Sequence, residues 1–225
     1  MIVSYLLKNG VDILILCLYH GLTDPKFAFY TFLKAFSMNY CLNFSYLYPD
    51  SEKYKWKHMV RLTDTGHIAN FLFYFYPEYL PLCYNVHFVI SSGYYITTVY
   101  FGMKDNDEIR NHPDIFTFLH DIYSHINHTV PYLMLLYSNT QSEHSFDQYS
   151  LYMTYAWIYC WFCCVYIPWR YYANDPIYSI LNNQTSNIVK IIVIITFHVL
   201  IFVANETGKM VQTANNQNII LASFN

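Results

Sequence analysis

Across 225 residues, 12% of the side chains are charged, 55% are hydrophobic and 20% are aromatic. An ordinary soluble domain carries roughly twice that charged share, so the chain is poorly supplied to cover a water-exposed surface. A net charge of −3, with the basic residues dispersed, leaves no electrostatic footprint for nucleic acid.

Residues 1–26 contain VDILILCLY, about half the length of a span, with Lys8, Asn9, Gly10 and Asp12 near its start. This segment reads as an interfacial helix, a signal-anchor or a seventh span. Six longer apolar stretches follow, at 27–48, 62–76, 82–102, 115–137, 149–169 and 188–205. The second is short, and polar residues in the first half of the fourth suggest a tilted or re-entrant segment. Polar, Pro-marked connectors separate the stretches, with no internal repeat. The expected fold is all-α: a polytopic transmembrane helical bundle of about six spans over 27–206, with a polar C-terminal tail at 207–225. The basic residues concentrate on one side (Lys53, Lys55, Lys57, Arg61, Lys104, Arg110, Arg170), which the positive-inside rule makes cytoplasmic.

Ionisable groups inside spans are costly, so each is a candidate for function. Asp121, His125 and His128 fall within an arc of roughly 60° on one helical face. Such a face can hold a general base with its orienting partners. It can equally offer metal ligands from His120, His125 and His128, or simply sit at the water interface beside His120 and Asn127. Thr63, in RLTDTGHIAN, reads on local grounds as a helix-capping residue, although His67 and Asn70 make the same entrance unusually polar. His87 and His198 stand singly in apolar spans and read as bonded to neighbouring helices. The six cysteines read as buried thiols, Cys160 and Cys163 included despite their CxxC spacing. There is no GxSxG elbow, HExxH helix or glycine-rich phosphate loop.

Three blocks of sequence taken together resemble the androgen-induced protein family of integral membrane hydrolases, which includes the androgen-dependent TFPI-regulating protein. The first is Leu62-Thr63 followed by Asn70; the second is His125, His128-Thr129 and Pro131; the third is Cys160-Trp161 with Trp169-Arg170-Tyr171. The chain departs from the family pattern at Cys163-Cys164, where paired histidines are expected. The resemblance implies a threonine hydrolase that cleaves fatty acid esters of hydroxy fatty acids within the bilayer, with Thr63 as nucleophile and His128 as base. The chemistry then asks for supporting groups: Asp121 or His125 to orient the imidazole, and Asn70 or Asn127 to donate to the oxyanion. No cofactor is expected; the partners are a lipid substrate and the bilayer. Two alternatives stand beside this one, a metal-dependent lipid enzyme using His120, His125 and His128, and a non-enzymatic multi-pass membrane protein.

Overall fold

The structure, a computed structural model, describes residues 60–100, 114–174 and 176–222. The N-terminal segment 1–26 and the first expected span, 27–48, lie outside the described residues. Those described are helical, with no strand among them. The helices are α1 (Leu62–Phe75), α2 (Leu80–Tyr95), α3 (Asp114–Thr140), α4 (Gln148–Ala173) and α5 (Asn187–Ala222).

Local chemistry sets most of the boundaries. α1 stops at Tyr76, where Pro77 follows and disfavours a helical conformation for its predecessor. A single 3₁₀ turn, Pro77–Tyr79, leads into α2, whose Pro81 sits in the first turn, where a missing N–H costs nothing. The two prolines thus make a tight corner and lay α1 against α2. α2 runs on into a π turn, Ile96–Tyr100, where the Thr97 and Thr98 hydroxyls donate back to the carbonyls of Gly93 and Tyr94. The Asp147 carboxylate caps α4 by accepting from the Ser150 N–H at 2.8 Å. Within α4 a second π turn, Phe162–Tyr166, precedes Pro168, and the helix ends at Asn174 in the left-handed conformation (φ 48°) that asparagine tolerates.

α2 is the hub, in contact with each of the other four helices. Its residues from Leu80 to His87 are all buried, and Leu82, Val86, Val89 and Ile90 join Leu62, Ile158, Trp161 and Ile201 in the larger of two apolar clusters. Polar glue runs through the same helix. Asn85 donates to the Thr154 hydroxyl (3.1 Å) and to the Asn205 side-chain oxygen (3.0 Å), which also accepts from Ser150. Buried polar side chains bonded in this way tie α2, α4 and α5 together in one register.

Among the described residues, two helices are long and apolar enough to cross a membrane, Gln148–Ala173 and Asn187–Asn215. α1, with 14 residues, reaches only about 21 Å at 1.5 Å per residue, short of a hydrocarbon core of about 30 Å. Three sequence expectations change. α3 is one continuous helix through the polar segment, with no re-entrant break. α5 does not end near 205 but continues through Ala222, because its polar half docks on the α3–α4 connection. There Asn139 donates to the Gly208 carbonyl (3.1 Å), Gln212 to that of His144 and Asn215 to that of Thr140 (each 2.5 Å). Of the described cysteines, Cys83 is buried, whereas Cys160, Cys163 and Cys164 are exposed free thiols; Cys17 and Cys41 lie outside the described residues. An apolar sequence does not distinguish a side chain buried in protein from one on the outer face of an apolar helix.

Candidate active site

Thr63 is the second residue of α1 and is 5% exposed. It does not cap the helix. Arg61 holds the capping position in extended conformation with no side-chain cap bond, and the backbone-bonding hydroxyl nearby is that of Thr65, on the Leu62 carbonyl at 2.8 Å. The Thr63 hydroxyl instead reaches across to α3, where its oxygen lies 3.2 Å from Nε2 of His128.

The direction of that bond follows from the other side of the ring. His128 Nδ1 lies 2.6 Å from the Ser124 carbonyl, one turn earlier in α3. A carbonyl only accepts, so Nδ1 carries the proton, and a neutral imidazole then keeps its lone pair on Nε2. The Thr63 hydroxyl therefore donates to His128. The ring plane is held as well: Tyr94 stacks on it with centroids 4.0 Å apart and planes 7° from parallel.

A second bridge lies one turn along α1. His67 follows Thr63 by one turn of α1, and Asn127 adjoins His128; the His67 Nε2–H donates to the Asn127 side-chain oxygen at 2.7 Å. Both residues are buried, at 3% and 7% exposure. Two polar bridges therefore join α1 and α3, which fixes the rotation of α3 that aims His128 at Thr63. Glycine at position 66 permits the close approach of α1 to α2: a Cβ there would lie 2.5 Å from Ile90 Cδ1 and 3.3 Å from the His87 ring. His87 packs by its ring against His67, with centroids 5.5 Å apart.

The start of α1 is pinned from outside. The Leu62 N–H donates to the Tyr178 hydroxyl (3.0 Å), and the Trp161 indole N–H donates to the Val60 carbonyl (2.8 Å). Thr63 and His128 both border a cavity of about 210 Å³, otherwise walled mainly by apolar and aromatic side chains of α2, α4 and α5.

The remaining sequence candidates divide. Asn127 belongs to the second bridge. His125 is exposed and lies against the rings of Tyr94 and Tyr95, so it touches the site through Tyr94. Asn70 is buried two turns beyond Thr63, its amide without a hydrogen-bond partner among the described residues, and does not border the cavity. Asp121 and His120 lie in α3, and their side chains are outside the described residues. No group of three histidine, cysteine or acidic side chains placed to hold a metal ion occurs among the described residues. Sequence reasoning did not find Ser124, whose contribution is a backbone carbonyl, nor Tyr94 and Tyr178, which carry no local signal. His67 had a signal, its spacing of one turn from Thr63, but no identifiable partner.

No family model, curated protein or solved structure matches the chain.

Proposed function

We propose that the protein is a multi-pass membrane hydrolase that cleaves lipid carboxylic esters inside its helical bundle, with Thr63 as nucleophile and His128 as general base. The observation that carries this reading is the hydroxyl–imidazole pair at 3.2 Å, with the acceptor nitrogen identified by the Ser124 carbonyl, at the wall of an apolar cavity. A threonine hydroxyl is a weak nucleophile until a base in hydrogen-bond reach removes its proton.

Attack of Thr63 Oγ1 on the ester carbonyl passes the hydroxyl proton to Nε2 and forms a tetrahedral oxyanion. Collapse expels the alkoxide, which takes the proton back from Nε2 and leaves an acyl-threonine. Water, deprotonated by the same nitrogen, then releases the acid and restores the hydroxyl. The positive end of the α1 dipole lies at the first turn, beside Thr63, and favours the developing negative charge. The Ser124 carbonyl stabilises the imidazolium that forms in each half-reaction. The six-span bundle expected from the sequence supplies the lipid setting, and fatty acid esters of hydroxy fatty acids, implied by the resemblance, suit a narrow apolar slot with one reacting centre.

The test is turnover of a long-chain fatty acid ester of a hydroxy fatty acid by purified protein in nanodiscs, with a chelator present. Thr63→Ala and His128→Ala are each expected to lose at least about a thousandfold in kcat/KM, and a fluorophosphonate probe is expected to label Thr63 in the native chain. Either variant, folded by its melting curve yet within tenfold of native turnover, would refute the assigned roles.

A further inference from the structure

The cavity has a buried end and an open end. Leu62, Thr63 and Ile90 at one end are buried, whereas Tyr159 of α4 and Ile194 and His198 of α5 are exposed wall residues. The mouth thus lies between the two helices that are apolar and long enough to cross a membrane. On α5 its surroundings are apolar: Ile194, Ile195, Val199 and Phe202 are all more than half exposed. A histidine among them is costly in lipid unless it is bonded and used.

His198 is bonded, and held on two sides. Tyr159 Oη lies 3.0 Å from its Nδ1, the Tyr155 ring tilts over it at 4.5 Å, and the Tyr155 hydroxyl donates to the His198 backbone carbonyl at 3.2 Å. Nε2, on the opposite edge of the ring, makes no hydrogen bond among the described residues.

We propose that Tyr159 and His198 form a carboxylate anchor at the lateral mouth of the cavity, which seats the acid group of a long-chain fatty acid whose chain lies in the slot. With a neutral ring and the Tyr159 hydroxyl donating to Nδ1, the Nε2–H is one outward donor. With an imidazolium, Nδ1–H donates to the tyrosine oxygen instead, so the phenol proton and Nε2–H are both available, together with a positive charge. A carboxylate takes two such donors and balances the charge; an ester or alcohol does not. The inference rests on reading the cavity as an acyl slot, and it gives that slot a preference for lipids with a free acid group remote from the scissile ester.

Binding measures the anchor independently of catalysis. Purified protein in detergent would be loaded with a fluorescent polyene fatty acid and titrated with oleic acid or methyl oleate. The native chain is expected to prefer oleic acid by roughly tenfold, the size of one charge-assisted hydrogen bond. His198→Phe should erase that preference by weakening the acid while methyl oleate competes as before. Tyr159→Phe should lose a smaller, severalfold part, and His198→Gln, which retains a donor, should recover part of the loss. Absence of ester turnover by the native chain, with its acid preference intact, would defeat the hydrolase and leave the anchor standing. An unchanged oleic acid affinity in His198→Phe, or equal weakening of acid and ester, would overturn the anchor.

Discussion

Replacing Asn127 by leucine removes the acceptor of the bridge to His67 while keeping a γ-branched side chain. The bond is short, at 2.7 Å, and both partners are almost wholly enclosed, so the His67 N–H loses this acceptor in a place with little access to water. Leaving a buried donor in that state costs about 1–3 kcal/mol. At about 2–4 °C per kcal/mol for a chain of this length, the melting temperature is expected to fall by roughly 2–12 °C. His67→Leu alone carries a similar cost, because it leaves the asparagine amide behind. The double variant removes both polar groups and should recover much of the loss, giving a coupling energy of about 1–3 kcal/mol in a double-mutant cycle. Because the bridge holds the rotation of α3, each single variant should also lower kcat about tenfold with little change in KM. Additive losses in the cycle, or native kcat in a destabilised Asn127→Leu protein, would show that the bridge does not position His128.

Gly66→Ala would place a methyl 2.5 Å from Ile90 Cδ1 and 3.3 Å from His87. It is expected to destabilise the fold by about 1–3 kcal/mol, with partial recovery when combined with Ile90→Val, both read by thermal melting. Tyr178→Phe removes the hydroxyl that accepts from the Leu62 N–H at 3.0 Å. Ester turnover should fall severalfold and the melting temperature by a few degrees, about 1 kcal/mol; native turnover would mean that the start of α1 is held adequately by Trp161 alone.

Helix content was legible in the sequence because it depends on local quantities. Apolar runs, Pro77 and Pro81, and the cap at Asp147 act within a turn or two of themselves, and the end of α1 and the starts of α2 and α4 follow from them. The polar half of α5 was not legible, since its helix depends on hydrogen-bond partners in α3 and the following connection. Thr63 shows the same division within the site. Its neighbours in sequence argue for a cap, and only the resemblance pointed beyond that. The hydroxyl's partner lies 65 residues away. The three α4 cysteines read as buried because apolar surroundings in sequence do not reveal which medium provides them.

Composition and periodicity by themselves determined that the chain is helical, poor in charge and marked by a polar face on α3, since these are properties of side chains and their spacing. Tertiary structure alone decided what that face does. It chose the Ser124 carbonyl to set the tautomer of His128, laid Tyr94 on the ring, and bridged His67 to Asn127. A tautomer depends on which acceptor stands within about 3 Å of a ring nitrogen, and that is fixed only once the helices have packed.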